Sequence, residues 1–167
     1  MNGKWSRAAL ITLLTVAGVG GCGAQDDEVD TQAAPLALEI EPDCESVRVS
    51  AKLTWPPNHK FRLITLSGGE DLTVTIDSVT QDEPVHERED RHTSPDARWV
   101  EDRTDAVYLR AERSGRGDGR MYRIHFTATR EDDDRECTGT VQVGVPHDQG
   151  KGSAPVDSGG AYDSFGG

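Results

Sequence analysis

Apolar residues recur at every second position through most of the middle of this chain. Leu36, Leu38 and Ile40 share one parity, as do Val47, Val49, Ala51 and Leu53. The same holds for Leu72, Val74 and Ile76, for Val107, Leu109 and Ala111, and for Tyr122, Ile124, Phe126 and Ala128. Val141, Val143 and Val145 close the set, and 61–66 is a less regular seventh candidate. Period-two alternation marks strands with one buried and one wet face. No segment repeats apolar residues at helical spacing. The reading is therefore all-β, a single domain of seven antiparallel strands folded as a sandwich.

Between the strands, two features stand out. Leu109–Arg113, the glycine-rich 114–119 and Arg120–Thr129 read as a hairpin, with glycines supplying positive φ at the reversal. Glu112 and Arg113 would then face Arg120 or Arg123 across it. Pro84–Thr104 is a long charged stretch without apolar periodicity and reads as an extended loop, a kind of segment that often carries function.

The two ends differ from the middle. Lys4 and Arg7 precede an apolar run, Ala8–Val19, and then Gly20-Gly21-Cys22. A basic start, a short apolar run and small residues form the pattern of an export signal. The run is shorter than the roughly 20 residues a membrane span needs. Aliphatic-small-small-Cys resembles the lipobox of bacterial lipoproteins. The resemblance implies cleavage before Cys22, a diacylglycerol thioether on its sulfur and an acylated new amino terminus. An ordinary secretory signal cut near Ala24 is the alternative. Residues 1–21 are thus a signal, and 22–35, acidic and short of large apolar residues, a flexible tether. Residues 36–146 form the sandwich. Residues 147–167, with six glycines, read as a disordered tail. The implied location is the cell envelope, the outer membrane rather than the inner, held by lipid.

Charge narrows the partners. The net charge of −12 falls to −14 once Lys4 and Arg7 leave with the signal. Such a surface speaks against nucleic acid, whose phosphates need basic partners. Anionic headgroups repel it too, so lipid rather than charge would hold it to a membrane.

Seven strands in about 110 residues fit an immunoglobulin-like sandwich. Five sequence blocks sharpen this: Trp55-Pro56-Pro57-Asn58-His59-Lys60; Val79-Thr80-Gln81-Asp82-Glu83-Pro84-Val85; Thr93-Ser94-Pro95-Asp96-Ala97; Leu109-Arg110-Ala111-Glu112-Arg113-Ser114-Gly115 with Gly117-Asp118-Gly119-Arg120; and Val145-Pro146-His147-Asp148-Gln149-Gly150. In this order they resemble an Ig-like or fibronectin-III-like module of secreted and surface proteins of environmental bacteria. The resemblance spans about residues 42–150 and implies no enzymatic activity. A cysteine near each end matches the family arrangement. Between Val85 and Thr93 the family is Gly/Asp-rich, whereas this chain reads His-Glu-Arg-Glu-Asp-Arg-His.

Cys44 and Cys137 remain after Cys22 is assigned. Export implies an oxidising compartment, where pairing is the default; two free thiols are the alternative. The bridge would close a loop of ~90 residues and contribute about 4 kcal/mol by chain entropy.

Candidate site residues follow from chemistry. Trp55 beside two prolines suits either core capping or contact with sugars and Pro-rich peptides, and Trp55 and His59 are the candidate binding residues. Asp82, Glu83, Glu89, Asp90 and Asp96 border one long connection. Ca²⁺ takes six to eight oxygens at about 2.4 Å, so calcium is the candidate cofactor and a solvated acidic loop the alternative. No EF-hand spacing is present. His86 and His92 lack the His-Glu-x-x-His spacing. Arg116-Gly117-Asp118 fits turn chemistry, and Glu131–Asp134 a solvated turn. No serine sits in a nucleophile elbow and no phosphate loop is present. The expected role is a non-catalytic binding or structural module for an envelope protein or glycan. The competing class is a metal-dependent hydrolase, or a calcium-dependent module, built on 82–96.

Overall fold

The computed structural model describes residues 42–85, 94–150 and 154–166. The expected strand at Leu36–Ile40, the lipidation residue Cys22, and Glu89, Asp90, His86 and His92 of the charged loop lie outside these.

Eight strands run in order: β1 (Arg48–Val49), β2 (Phe61–Ser67), β3 (Leu72–Gln81), β4 (Ala97–Trp99), β5 (Ala106–Arg110), β6 (Gly119–Arg130), β7 (Glu136–Pro146) and β8 (Tyr162–Asp163). They form two four-stranded sheets, β1-β2-β5-β4 and β7-β6-β3-β8. All ladder pairs are antiparallel. The fold is all-β, consistent with a β-sandwich. Alternation explains the packing: Ile64, Leu66, Val107 and Leu109 of one sheet share a core with Val74, Ile76, Tyr122, Ile124, Phe126 and Val143 of the other. Among the described residues the only helical element is the 3₁₀ turn Cys44–Ser46.

Six of the expected strands correspond to β1, β2, β3, β5, β6 and β7; β4 and β8 lie where none was expected. A register shift between Ile76 and Ser78 lengthens β3. A bulge adds one residue and flips side-chain parity, so Val79 and Gln81 face inward beyond it, where the simple pattern stops at Ile76.

The hairpin reading of 109–129 is corrected. β5 pairs with β2 and β4, and β6 with β3 and β7. Residues 111–118 therefore cross from one sheet to the other. Alternating flanks fit a hairpin or a crossover equally well. The buried Glu112 and Ser114, tied respectively to His59 and Glu83, draw the chain across the end of the core. Gly119 sits at φ 106°, and a Cβ there would lie 2.7 Å from the Val145 carbonyl oxygen, so only glycine opens β6 in this way. β5 forms a hairpin with β4 instead, and β6 one with β7, whose turn holds the acidic run Glu131–Asp134. Arg130 and Arg135 both reach Asp133 there, at 3.5 and 3.1 Å.

The disordered-tail reading is corrected as well. Described residues 154–166 dock on the sandwich. β8 pairs with the end of β3, Asp157 pairs with Arg123, and Phe165 stacks on Trp99 at 4.4 Å. Ser164 is fully buried, and its carbonyl accepts from both the Asp96 and Ala97 amides. Glycine-rich composition predicts disorder when nothing anchors it; here Pro155, Ser164 and Phe165 supply anchors.

Cys44 and Cys137 form a disulfide, with Cα atoms 6.0 Å apart. It joins the turn before β1 to the start of β7.

Candidate functional site

The sequence blocks meet at one end of the sandwich. Arg120, the second residue of β6, points inward at 2% exposure. Its Nε donates to Glu83 Oε2 at 2.9 Å. Its Nη1 lies 2.9 Å from Asp96 Oδ2 and 3.3 Å from the Tyr122 hydroxyl. The Ser114 amide donates to both Glu83 oxygens, at 3.0 and 2.9 Å, and Gln81 Nε2 donates to Asp96 Oδ2 at 2.8 Å. Arg110 completes the cluster, its Nε 3.5 Å from Asp96 Oδ1 and 3.7 Å from Glu112 Oε2. These groups form a plug of alternating charge that closes one end of the core.

Burial decides the electrostatics of the plug. Desolvation pushes the Glu83 and Asp96 carboxyls above their usual range, outweighing the opposing pull of Arg120 on each. Burial also works against the Arg120 cation, but Tyr122, Asp96 and Glu83 around it hold its pKa above the ordinary arginine value. Ion pairs taken from water recover their desolvation cost only with good geometry and full hydrogen bonding.

The described acidic candidates occupy this end but face protein donors. Glu83 and Asp96 belong to the plug. Asp82 accepts from the Met121 amide at 2.8 Å and the Ser158 amide at 3.1 Å. Among the described residues no group of three or more His, Cys, Asp or Glu side chains is arranged to hold a metal. The expectation of a purely extended loop is corrected in part, since its far end enters β4 through the buried Asp96. Arg116 and Asp118 are exposed at the crossover. A Cβ at Gly117 would lie 2.8 Å from Glu83 Oε1, so packing against the plug accounts for the glycine of that tripeptide.

His59 and Trp55 lie beside the plug on the chain entering β2. His59 takes φ 61°. Its amide donates to the Ala111 carbonyl and its own carbonyl accepts from Arg110 Nη1 at 3.0 Å. Its Nδ1 is 3.0 Å from Glu112 Oε2, with the ring 57% exposed. A carboxylate on Nδ1 orients an imidazole as it does in acid–base sites. Trp55, 38% exposed, lines a groove of about 360 Å³ with Leu53, Pro146, Asp148 and Gln149. Arg113 Nη2 donates to the His147 carbonyl at 3.1 Å, tying the last block to the crossover.

Sequence reasoning missed Arg120, Arg110 and Gln81 as partners of the acidic loop. The signal was the presence of charged and amide residues at inward-facing strand positions. It also missed the outward-facing apolar residues of β2. Their signal was the irregular alternation of 61–66, where Phe61 and Leu63 fall on the parity opposite to Ile64 and Leu66. No protein-family model, curated protein or solved structure matches the chain.

Proposed function

We propose that this chain is an exported lipoprotein, anchored through Cys22 in the cell envelope, whose Ig-like sandwich recognises a partner without catalysing a reaction. The plug carries the reading. Asp82, Glu83 and Asp96 are the described carboxylates that a hydrolytic or calcium-dependent site on 82–96 would draw on. Glu83 and Asp96 are buried against Arg120 and amide donors, and Asp82 accepts from the Met121 and Ser158 amides. Carboxylates held this way close an end of the core and are turned away from solvent, whereas catalysis needs reactive groups facing a concave, accessible site. The immunoglobulin-like assignment draws support from the paired four-stranded sheets and the β5–β6 crossover between them. The outer membrane is the proposed location, and an envelope protein or glycan the proposed partner. Recognition suits a rigid frame with exposed strand faces and loops.

Fatty-acid labelling of cells expressing the full chain tests the anchor. Wild type takes up label and sediments with membranes, and Cys22→Ala does neither. Equal labelling of the variant refutes the anchor. Cross-linking in the native envelope tests recognition, which a monomer free of adducts would refute.

A further inference from the structure

The outer face of the β1-β2-β5-β4 sheet combines an exposed apolar row with a guanidinium that lies outside the plug. Leu63, Tyr108 and Arg98 are direct cross-strand partners on β2, β5 and β4. Directly opposed residues project from the same face of a sheet. Their neighbours Ile64, Val107, Leu109 and Ala97 fill the core, so this row faces outward. Leu63 is 45% and Tyr108 37% exposed. Phe61, two residues before Leu63 and on its face, lies under two guanidinium groups, Arg98 at 4.3 Å and Arg110 at 4.4 Å. Arg110 is held by Asp96 and Glu112. Arg98 is exposed and, among the described residues, stands in no ion pair. Of the arginines of β2, β4 and β5, Arg98 and Arg110 share this face, whereas Arg62 is the partner of the core residue Leu109; the three strands carry no Asp or Glu, in a chain with 30 acids against 18 Lys and Arg.

We infer that this face binds an acidic glycan, a polymer whose sugar rings carry carboxylates. The apolar C–H face of a ring lies on Tyr108 and Leu63, leaving its hydroxyls in water. The ring carboxylate pairs with Arg98, whose planar fork matches it. Stacking on Phe61 holds that fork in place before binding, which lowers the ordering cost. The net negative charge of the chain is screened beyond about 8 Å at physiological salt, so the local cation decides. This rests on the reading of the sandwich as a recognition module. A negative glycan titration beside a positive envelope cross-link would sink the inference alone.

The test is calorimetric titration of the full chain with oligogalacturonate, with dextran (rings without charge) and with poly-L-glutamate (charge without rings). Oligogalacturonate binds saturably, and the other two bind at least about tenfold more weakly, the factor for one charge-assisted hydrogen bond. Arg98→Gln and Tyr108→Ala each weaken binding by a similar factor with unchanged circular dichroism, while Tyr108→Phe retains it. Arg135→Gln, which removes a cation at the β6–β7 turn, also retains it. Absence of oligogalacturonate binding overturns the inference. So does equal binding of dextran or poly-L-glutamate, or equal weakening by Arg98→Gln and Arg135→Gln.

Discussion

Replacing Arg120 by methionine keeps most of the side-chain volume and removes the charge. The arginine side chain is 2% exposed, and its partners Asp96 and Glu83 are 2% and 11% exposed. Two carboxylates are then left in a site where water cannot replace the guanidinium. Breaking a buried pair in this way costs about 3–5 kcal/mol. The cost depends on pH in a definite direction. Burial already raises both carboxyls in the native protein, with Arg120 opposing the rise. Without Arg120 they rise further. A carboxyl whose folded pKa exceeds its unfolded value contributes stability that is fully present below the unfolded pKa and lost as pH rises through the folded one. The slope reaches about 1.4 kcal/mol per pH unit for each carboxyl. The deficit of Arg120→Met should therefore be smaller near pH 4.5 than near pH 7.5. Urea unfolding of both proteins at the two pH values measures it. Adding Glu83→Gln and Asp96→Asn should recover a large part of the loss at the higher pH and little at the lower. An equal deficit at both pH values would refute the reasoning, because lost packing against Tyr122 carries no such pH dependence.

Replacing Cys44 and Cys137 by serine reopens a loop with a sequence separation of 93 and should cost about 4 kcal/mol; an unchanged urea midpoint would contradict this. Truncation after Gly150 removes β8, the Trp99–Phe165 stack and the bonds to the Ser164 carbonyl, and should cost about 2–4 kcal/mol. Its signature is a red shift of Trp99 fluorescence, and wild-type stability in the truncated chain would mean that the tail merely rests on the surface. Millimolar Ca²⁺ and a chelator should leave the melting midpoint where it is, because Asp82, Glu83 and Asp96 face protein donors. A rise with Ca²⁺ alone would restore the calcium reading of the acidic loop.

The elements legible in the sequence were those governed by one rule. Alternation marked β6 and β7 because each has one face on the core and no interruption. It stopped short in β3, where the bulge after Ile76 reverses parity, and it missed β4, which is three residues long and too short to display a period. β8 carries no apolar alternation; its place comes from Ser164 and Phe165, which meet their partners only in the folded chain. The acidic residues near 82–96 were visible, but not the sign of their environment. Arg120 lies 24 residues beyond Asp96 in sequence, and only the crossover brings the two together. Gln81 and Glu83, Asp96, Arg110, Glu112 and Ser114, and Arg120 come from separate stretches of the sequence and meet in the plug.

The Cys44–Cys137 bridge also sets how the molecule carries load. Tension applied to the chain ahead of Asp43 reaches Cys44 and passes through sulfur directly into β7. From Cys137 it continues along β7 towards the tail. The chain between the two cysteines, with β1 to β6, the plug and the Arg98 face, lies in parallel with a covalent link and is not drawn out. With the far end of the chain held, the same pull bears on β7 and the docked C-terminal segment rather than on β1 to β6. Reduction of the bridge would reroute the same pull through β1 and β2, and the protein would yield from the other side.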